Sequence, residues 1–256
     1  MYHFYYDESE HSRKINYDTV SAGNYYDNFV SVIVGWSKEK EKAIFERYMS
    51  FESKYAERKD KNGELKSKTL KKNQFEFGIA SLNKQNVQFV GDFLSLFDRE
   101  IHLYFSAASK IEYLVLQLFS GYENDLHIDA DALKYSITKA LVTYRPEKVI
   151  KCIYVSSETF VEALKDFFRE RIEFNKRNIK LKKYENQTFE EILYCLEKVS
   201  VTSELHWDYH NFTGFKKYLE EEKIVDYTLV LDKEGEVDQK SKTLQAAHQM
   251  GLNKIR

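Results

Sequence analysis

This chain is poor in the residues that break or staple a backbone. Its 256 residues hold a single proline, Pro146, and nine glycines, which points to helices with strands between them. The two cysteines, Cys152 and Cys195, lie far apart, each in an apolar setting. They fit buried thiols in a reducing compartment better than a disulfide framework or a zinc site. No apolar run reaches the ~18 residues of a membrane span. No signal-like segment precedes Tyr2, so a cytoplasmic protein with no membrane partner is the expectation. The formal net charge is −2. Charge alone therefore gives no general drive toward nucleic acid, and such binding needs a local basic patch. There is no Gly-rich phosphate loop, no G-x-S-x-G, and no histidine beside either cysteine. P-loop hydrolysis and serine or cysteine nucleophile chemistry are thereby disfavoured.

What is present is apolar and aromatic mass. Hydrophobic residues make up 43% and charged residues 31%, the balance of a globular chain long enough for one large domain and a real core. Tyrosine and phenylalanine are abundant, at 19 and 18. The opening Met1-Tyr-His-Phe-Tyr-Tyr6 reads as a strand, and Asn28 to Trp36 as a second, with the polar stretch HSRKINYD as the turn of an antiparallel hairpin. Ser37 is placed to cap a helix over 38–58, carried by Ile44, Tyr48, Phe51 and Tyr55. A lysine-rich loop follows, then a helical stretch over 69–97 and a strand from Ile101 to Ser106.

The middle reads as helices. Stripes run through Ile111, Leu114, Val115, Leu118 and Phe119; through Leu133, Ile137, Leu141 and Tyr144, stopped by Pro146; and through Val161, Leu164, Phe168 and Ile172. Asp129 and Asp131 read as N-caps, and Thr188 with Glu191 as a capping box ahead of Ile192. Phe212 to Glu222 and Gln239 to Met250 read as helices. Tyr227 to Asp232 reads as an apolar strand ending in acid, and Leu252 to Arg256 as the start of another. The resulting expectation is one α/β domain over 1–256, its sheet completed late, with a large helical insertion at about 107–200.

Two apolar strands thus end in aspartate, Asp7 and Asp232. Each Asp either starts a turn, which it does well, or the two converge at one edge of the sheet. Converging carboxylates suit Mg²⁺ or Mn²⁺, and such ions hold water and phosphodiester in line. Other candidates have similar pairs of readings. His206 and His210, spaced four apart, would share a helix face as zinc ligands, but Trp207, Tyr209 and Phe212 make this a packed aromatic segment, and the HExxH glutamate is absent. The basic run from Arg169 to Lys183 reads as lying along one long helix, either solvated or guiding a nucleic-acid backbone.

Phe4-Tyr5-Tyr6-Asp7-Glu8-Ser9 resembles the DESG signature that opens the domain of unknown function 3800 family. Phe29 to Gly35 is similar to that family's second strand, Glu64-Leu-Lys-Ser67 to its E-x-K/H-S/G segment, and Tyr227 to Asp232 to its late strand ending in Asp. The resemblance touches both ends of the chain and leaves the helical middle uncovered. It implies an RNase H-like mixed sheet and a divalent-metal-dependent nuclease acting on RNA or DNA. Asp7, Asp232 and Glu64 would be the metal-binding and catalytic carboxylates, with Ser9, Lys66 and Lys68 on the substrate. Several family members accompany bacterial defence or mobile-element genes, which implies a protein partner in a defence complex. Two departures stand out. Glu10 replaces the family's Gly, and the closing segment S-x-x-x-x-x-LQ-x-AD has no counterpart before Arg256. Either chain beyond Arg256 supplies the last carboxylate, or the fold is a non-catalytic module that binds protein or nucleic acid.

Overall fold

The computed structural model describes residues 1–9, 15–23, 25–65, 70, 72–124, 129–202, 204–206, 209–231, 237–252 and 255, with the backbone alone for 72 and 237–241. Strand β1, Tyr2–Ser9, alternates as a half-covered strand should. Phe4 and Tyr6 are buried, while Tyr5, Asp7 and Ser9 are exposed. β2, Asn28–Ser37, runs antiparallel to it, with Tyr2 opposite Ser37 and Ser9 opposite Val30. β3, Ile101–Ser109, is antiparallel to β2. β4, Tyr227–Leu231, is parallel to β1, from Tyr2 opposite Tyr227 to Tyr6 opposite Leu231. The sheet is four-stranded and mixed, in the order β3-β2-β1-β4. An isolated parallel bridge joins Leu229 to Ile255 beyond β4. Gly35 is required by close approach, because a Cβ there would sit 2.1 Å from the Phe4 ring.

The described part of the β1–β2 connection contains a helix that its polar composition did not suggest. Asn16 caps a short helix, α1 (Tyr17–Ser21), and Thr19 reaches back to close a capping box. Between β2 and β3 the chain makes a helical excursion. α2 spans Glu41–Lys54, and Ser37 heads only a 3₁₀ turn at Lys38–Lys40, without a side-chain cap. The helix expected over 69–97 is limited to α3, Lys84–Leu94. Gly78 at φ +69° breaks the run, and the Asn83 side chain accepts from Asn86 N–H to start the helix afresh. Phe51, Tyr55 and Phe89 form a small core of their own.

Among the described residues six α-helices lie between β3 and β4, and the first five form a block: α4 (Lys110–Leu118), α5 (Ala130–Tyr144), α6 (Glu147–Cys152), α7 (Ser157–Asn175) and α8 (Ile179–Leu196). Ser109, Asp129 and Ser156 cap α4, α5 and α7 with their side chains. Asp131 falls inside the first turn of α5 instead of capping it. α5 stops where Arg145 turns left-handed before Pro146. Thr188 and Glu191 do not begin a helix. They lie within α8, where the Thr188 hydroxyl donates to the Tyr184 carbonyl, because the apolar stripe is continuous through Phe189, Ile192 and Cys195. The basic run is likewise split, by a 3₁₀ turn at Lys176–Asn178 between α7 and α8. These helices share one core with Phe29 of β2, and Cys152 and Cys195 are free thiols.

α9 (Thr213–Glu221) and α10 (Val237–Gln249) complete the fold. Phe212, Phe215, Leu219, Ala247 and Leu252 pack with Phe4, Tyr6, Ile33 and Leu229 to cover one face of the sheet. The other face shows Tyr5, Leu103 and Phe105, the last two 50% and 60% exposed. Among the described residues, no helix is long and apolar enough to cross a membrane.

Candidate functional site at the end of strand β1

The period of a strand separates the two acids that close β1. Glu8 is in phase with Phe4 and Tyr6, so its carboxylate turns to the covered face; Asp7 projects from the open one. Asp7 is exposed, and its Oδ1 accepts the N–H of Glu8 at 2.9 Å. The Glu8 side chain is only 14% exposed and lies beside His210, at 9%. A carboxylate withdrawn from water needs polar partners. Tyr6 Oη donates to Glu8 Oε2 at 2.5 Å, and His210 Nδ1 lies 3.5 Å from the same oxygen. Thr243 Oγ1 of α10 stands 3.4 Å from His210 Nδ1.

Aromatic packing fixes this histidine. Tyr209 stacks on Phe29, centroids 5.3 Å apart, and meets Tyr113 edge-on at 5.2 Å. Two residues past His210, Phe212 packs against the Tyr6 ring at 5.0 Å. Beyond Phe29 lies Lys110, a fully buried cation 4.9 Å from the Tyr25 ring and 5.6 Å from the Phe29 ring. The Arg145 guanidinium grips both oxygens of Asp27 at 2.8 and 3.0 Å. Burial, and then Asp27, push the Tyr25 hydroxyl up to about 12 against the opposing pull of Arg145. The end of β1 and the start of β2 therefore join a carboxylate–imidazole pair to an aromatic-lined cation. Such a pair can hold and pass a proton, with the carboxylate orienting the ring.

The expected site residues are distributed unevenly. Asp7 and Ser9 stand exposed at the end of β1. Glu64 belongs to the excursion after α2, where its N–H donates to Asp60 Oδ1 at 3.2 Å and its charge helps raise the Tyr48 hydroxyl behind burial and Glu52. Asp232, Lys66 and Lys68 lie outside the described residues, as do Trp207 and Asp208. Among the described residues, no three His, Cys, Asp or Glu side chains are grouped to hold a metal ion.

His206 and His210 do not share a helix. Gln117 clamps the backbone of His206 through both N–H and C=O, each at 2.7 Å, and holds the segment irregular. The basic run makes local pairs, Arg169 with Asp166, Lys176 with Glu173 and Lys182 with Glu185, so it reads as solvated helix charge. Tyr6, Glu8, His210 and Thr243 form the network that sequence reasoning passed over. For Glu8 the signal was available, since it keeps the phase of Phe4 and Tyr6. No family model, no curated protein and no solved structure matches this chain.

Proposed function

We propose that this chain is a divalent-metal-dependent nuclease of RNase H-like fold that hydrolyses phosphodiester bonds in RNA or DNA. The observation that carries the reading is the parallel register of β1 and β4. Leu231 lies opposite Tyr6, so the chain leaves β4 beside the residue that precedes Asp7, and Asp232 is next in sequence. A β1-β2-β3 meander extended by a parallel strand after a long helical connection suits the mixed sheet that the DESG resemblance implies. Asp7 and Asp232 would hold Mg²⁺ or Mn²⁺, with Glu64 the third carboxylate that the resemblance assigns. Hard oxygen donors fit those ions, and no described residue engages Asp7 Oδ2. When bound, the metal supplies an activated water and neutralises charge on the phosphodiester. Glu8 and Thr243 flank His210 Nδ1 and set the imidazole beside the strand end. Ser9, Lys66 and Lys68 would contact substrate phosphate, and a role in bacterial anti-phage defence follows from the same resemblance.

The test is cleavage of labelled single- and double-stranded RNA and DNA with Mg²⁺ or Mn²⁺, with chelator, and with Asp7→Ala. Metal-dependent cleavage lost in Asp7→Ala is the expected result. No cleavage of any substrate would leave the second reading, a non-catalytic module that binds a protein partner or nucleic acid. That reading draws on the apolar open face of the sheet, where Leu103 and Phe105 are exposed.

A further inference from the structure

We infer that two copies of this chain pair through strand β3 into a continuous eight-stranded sheet. β3 is an edge strand of nine residues in the order β3-β2-β1-β4. One side of it is satisfied by β2 along its whole length, from Trp36 opposite Ile101 to Asn28 opposite Ser109. On the other side, no described residue bonds to its backbone beyond the turn from Ile101 N–H to the Asp98 carbonyl. Natural edges are guarded by charge, proline, bulges or a covering element. Ile-His-Leu-Tyr-Phe-Ser-Ala-Ala-Ser has no Lys, Arg, Asp, Glu or Pro, and its register against β2 is unbroken. Leu103 and Phe105 stand 50% and 60% exposed on the open face. Their alternates His102 and Tyr104 are held on the covered face, where His102 Nδ1 lies 2.7 Å from the Tyr218 hydroxyl and Tyr104 packs on Phe215.

Three features select a second copy as the occupant. Antiparallel pairing of a strand with itself about a two-fold is self-complementary, and each copy offers the same unsatisfied row. The edge carries no Lys, Arg, Asp or Glu, and His102 is turned to the covered face against Tyr218, so identical strands meet without like-charge repulsion. The opposite edge of the sheet is shorter and already bridged by Leu229 and Ile255, so the assembly closes at two. Pairing would bring Leu103 and Phe105 of each copy into cross-strand contact and reduce the exposure of both.

Sedimentation of the purified protein over a concentration series, with hydrogen exchange at the two extremes, tests this. The expected result is a dimer at micromolar concentration, with β3 amides that exchange more slowly as concentration rises. Phe105→Lys and Leu103→Lys, both at exposed positions, should weaken the dimer by at least ~10-fold with unchanged circular dichroism and, at concentrations where the wild type is monomeric, unchanged melting. If a lysine variant fails to fold, Phe105→Thr keeps the strand propensity, and the wild-type exchange experiment needs no variant. A monomer at every concentration to ~100 µM, as expected of an edge reserved for an extended peptide of another protein, overturns the inference. So does a dimer indifferent to both lysines, or β3 exchange that is independent of concentration.

Discussion

One face of the sheet carries Phe4, Tyr6, Ile33 and Tyr104 beneath Phe212 and Phe215; the other carries Tyr5, Trp36, Leu103 and Phe105 with less above them. Both faces are aromatic. Rings touch on both, Phe4 with Phe215 at 5.2 Å and Tyr5 with Trp36 at 5.1 Å. They differ in what covers them, and the two acids of β1 divide accordingly. Glu8 goes under cover and gathers Tyr6 and His210, while Asp7 stays in water. Composition does not distinguish the faces, because apolar residues on a folded surface are common. What separates them is whether a later element returns to pack there.

The largest effect should come from the covered face. At protein concentrations low enough to keep the chain monomeric, Phe4→Ala should cost about 3–5 kcal/mol in chemical denaturation, whereas Phe105→Ala should stay within about 0.5 kcal/mol. Equal losses there would mean that the open face is buried within the monomer, and the two faces would not differ in cover. Gly35→Ala should cost about 1–3 kcal/mol by forcing a Cβ into the Phe4 ring. A neutral result would show that the ring yields freely.

Glu8→Ala should cost about 1–3 kcal/mol by removing the partner of Tyr6 and His210. Asp7→Ala should leave stability within about 0.5 kcal/mol while removing any metal-dependent cleavage. A reversal of that order would break the assignment of the two acids to opposite faces.

The smallest effect lies away from the sheet, at Glu185. Burial raises its carboxyl pKa, but hydrogen bonds from Lys182 and Tyr144 outweigh burial and leave it below the ordinary value of 4.5. A carboxyl depressed on folding stabilises the protein above its unfolded pKa and loses that contribution as pH falls through the folded value. Melting temperature should therefore fall below about pH 4.5, and Glu185→Gln should flatten that slope slightly. An unchanged slope would place the acid sensitivity in other carboxylates.

Much of the fold was legible because periodicity reports burial directly. β1, β2 and β4, the stripes of α4, α5 and α7, and the Asp129 cap follow from spacing and from the need to satisfy a helix's first N–H groups. Other features resisted for identifiable reasons. Thr188 matched a capping box yet lies mid-helix, since an i−4 carbonyl satisfies its hydroxyl as well as a cap would. His206 and His210 had helical spacing, but Gln117, 89 residues away from His206, holds the backbone out of a helix. The run at 69–97 had apolar residues throughout, and Gly78 decided where it could not be α-helical. At the site, Asp7 could be picked out as a strand-ending acid. The pairing of Glu8 with His210 joins the first strand to a segment some 200 residues later, which local pattern does not encode.

By itself, then, the sequence determined the elements and the inward or outward phase of each strand, because those depend on residues a few positions apart. It placed Glu8 in phase with the core and Asp7 out of phase with it. Only the tertiary structure decided which face of the sheet would be covered, that His210 and Thr243 would meet Glu8, and that β3 would lie at the edge of the sheet with no described residue paired to its outer side. Those outcomes rest on contacts between distant segments, whose closure is selected by the packing of the whole chain and not by any stretch of it.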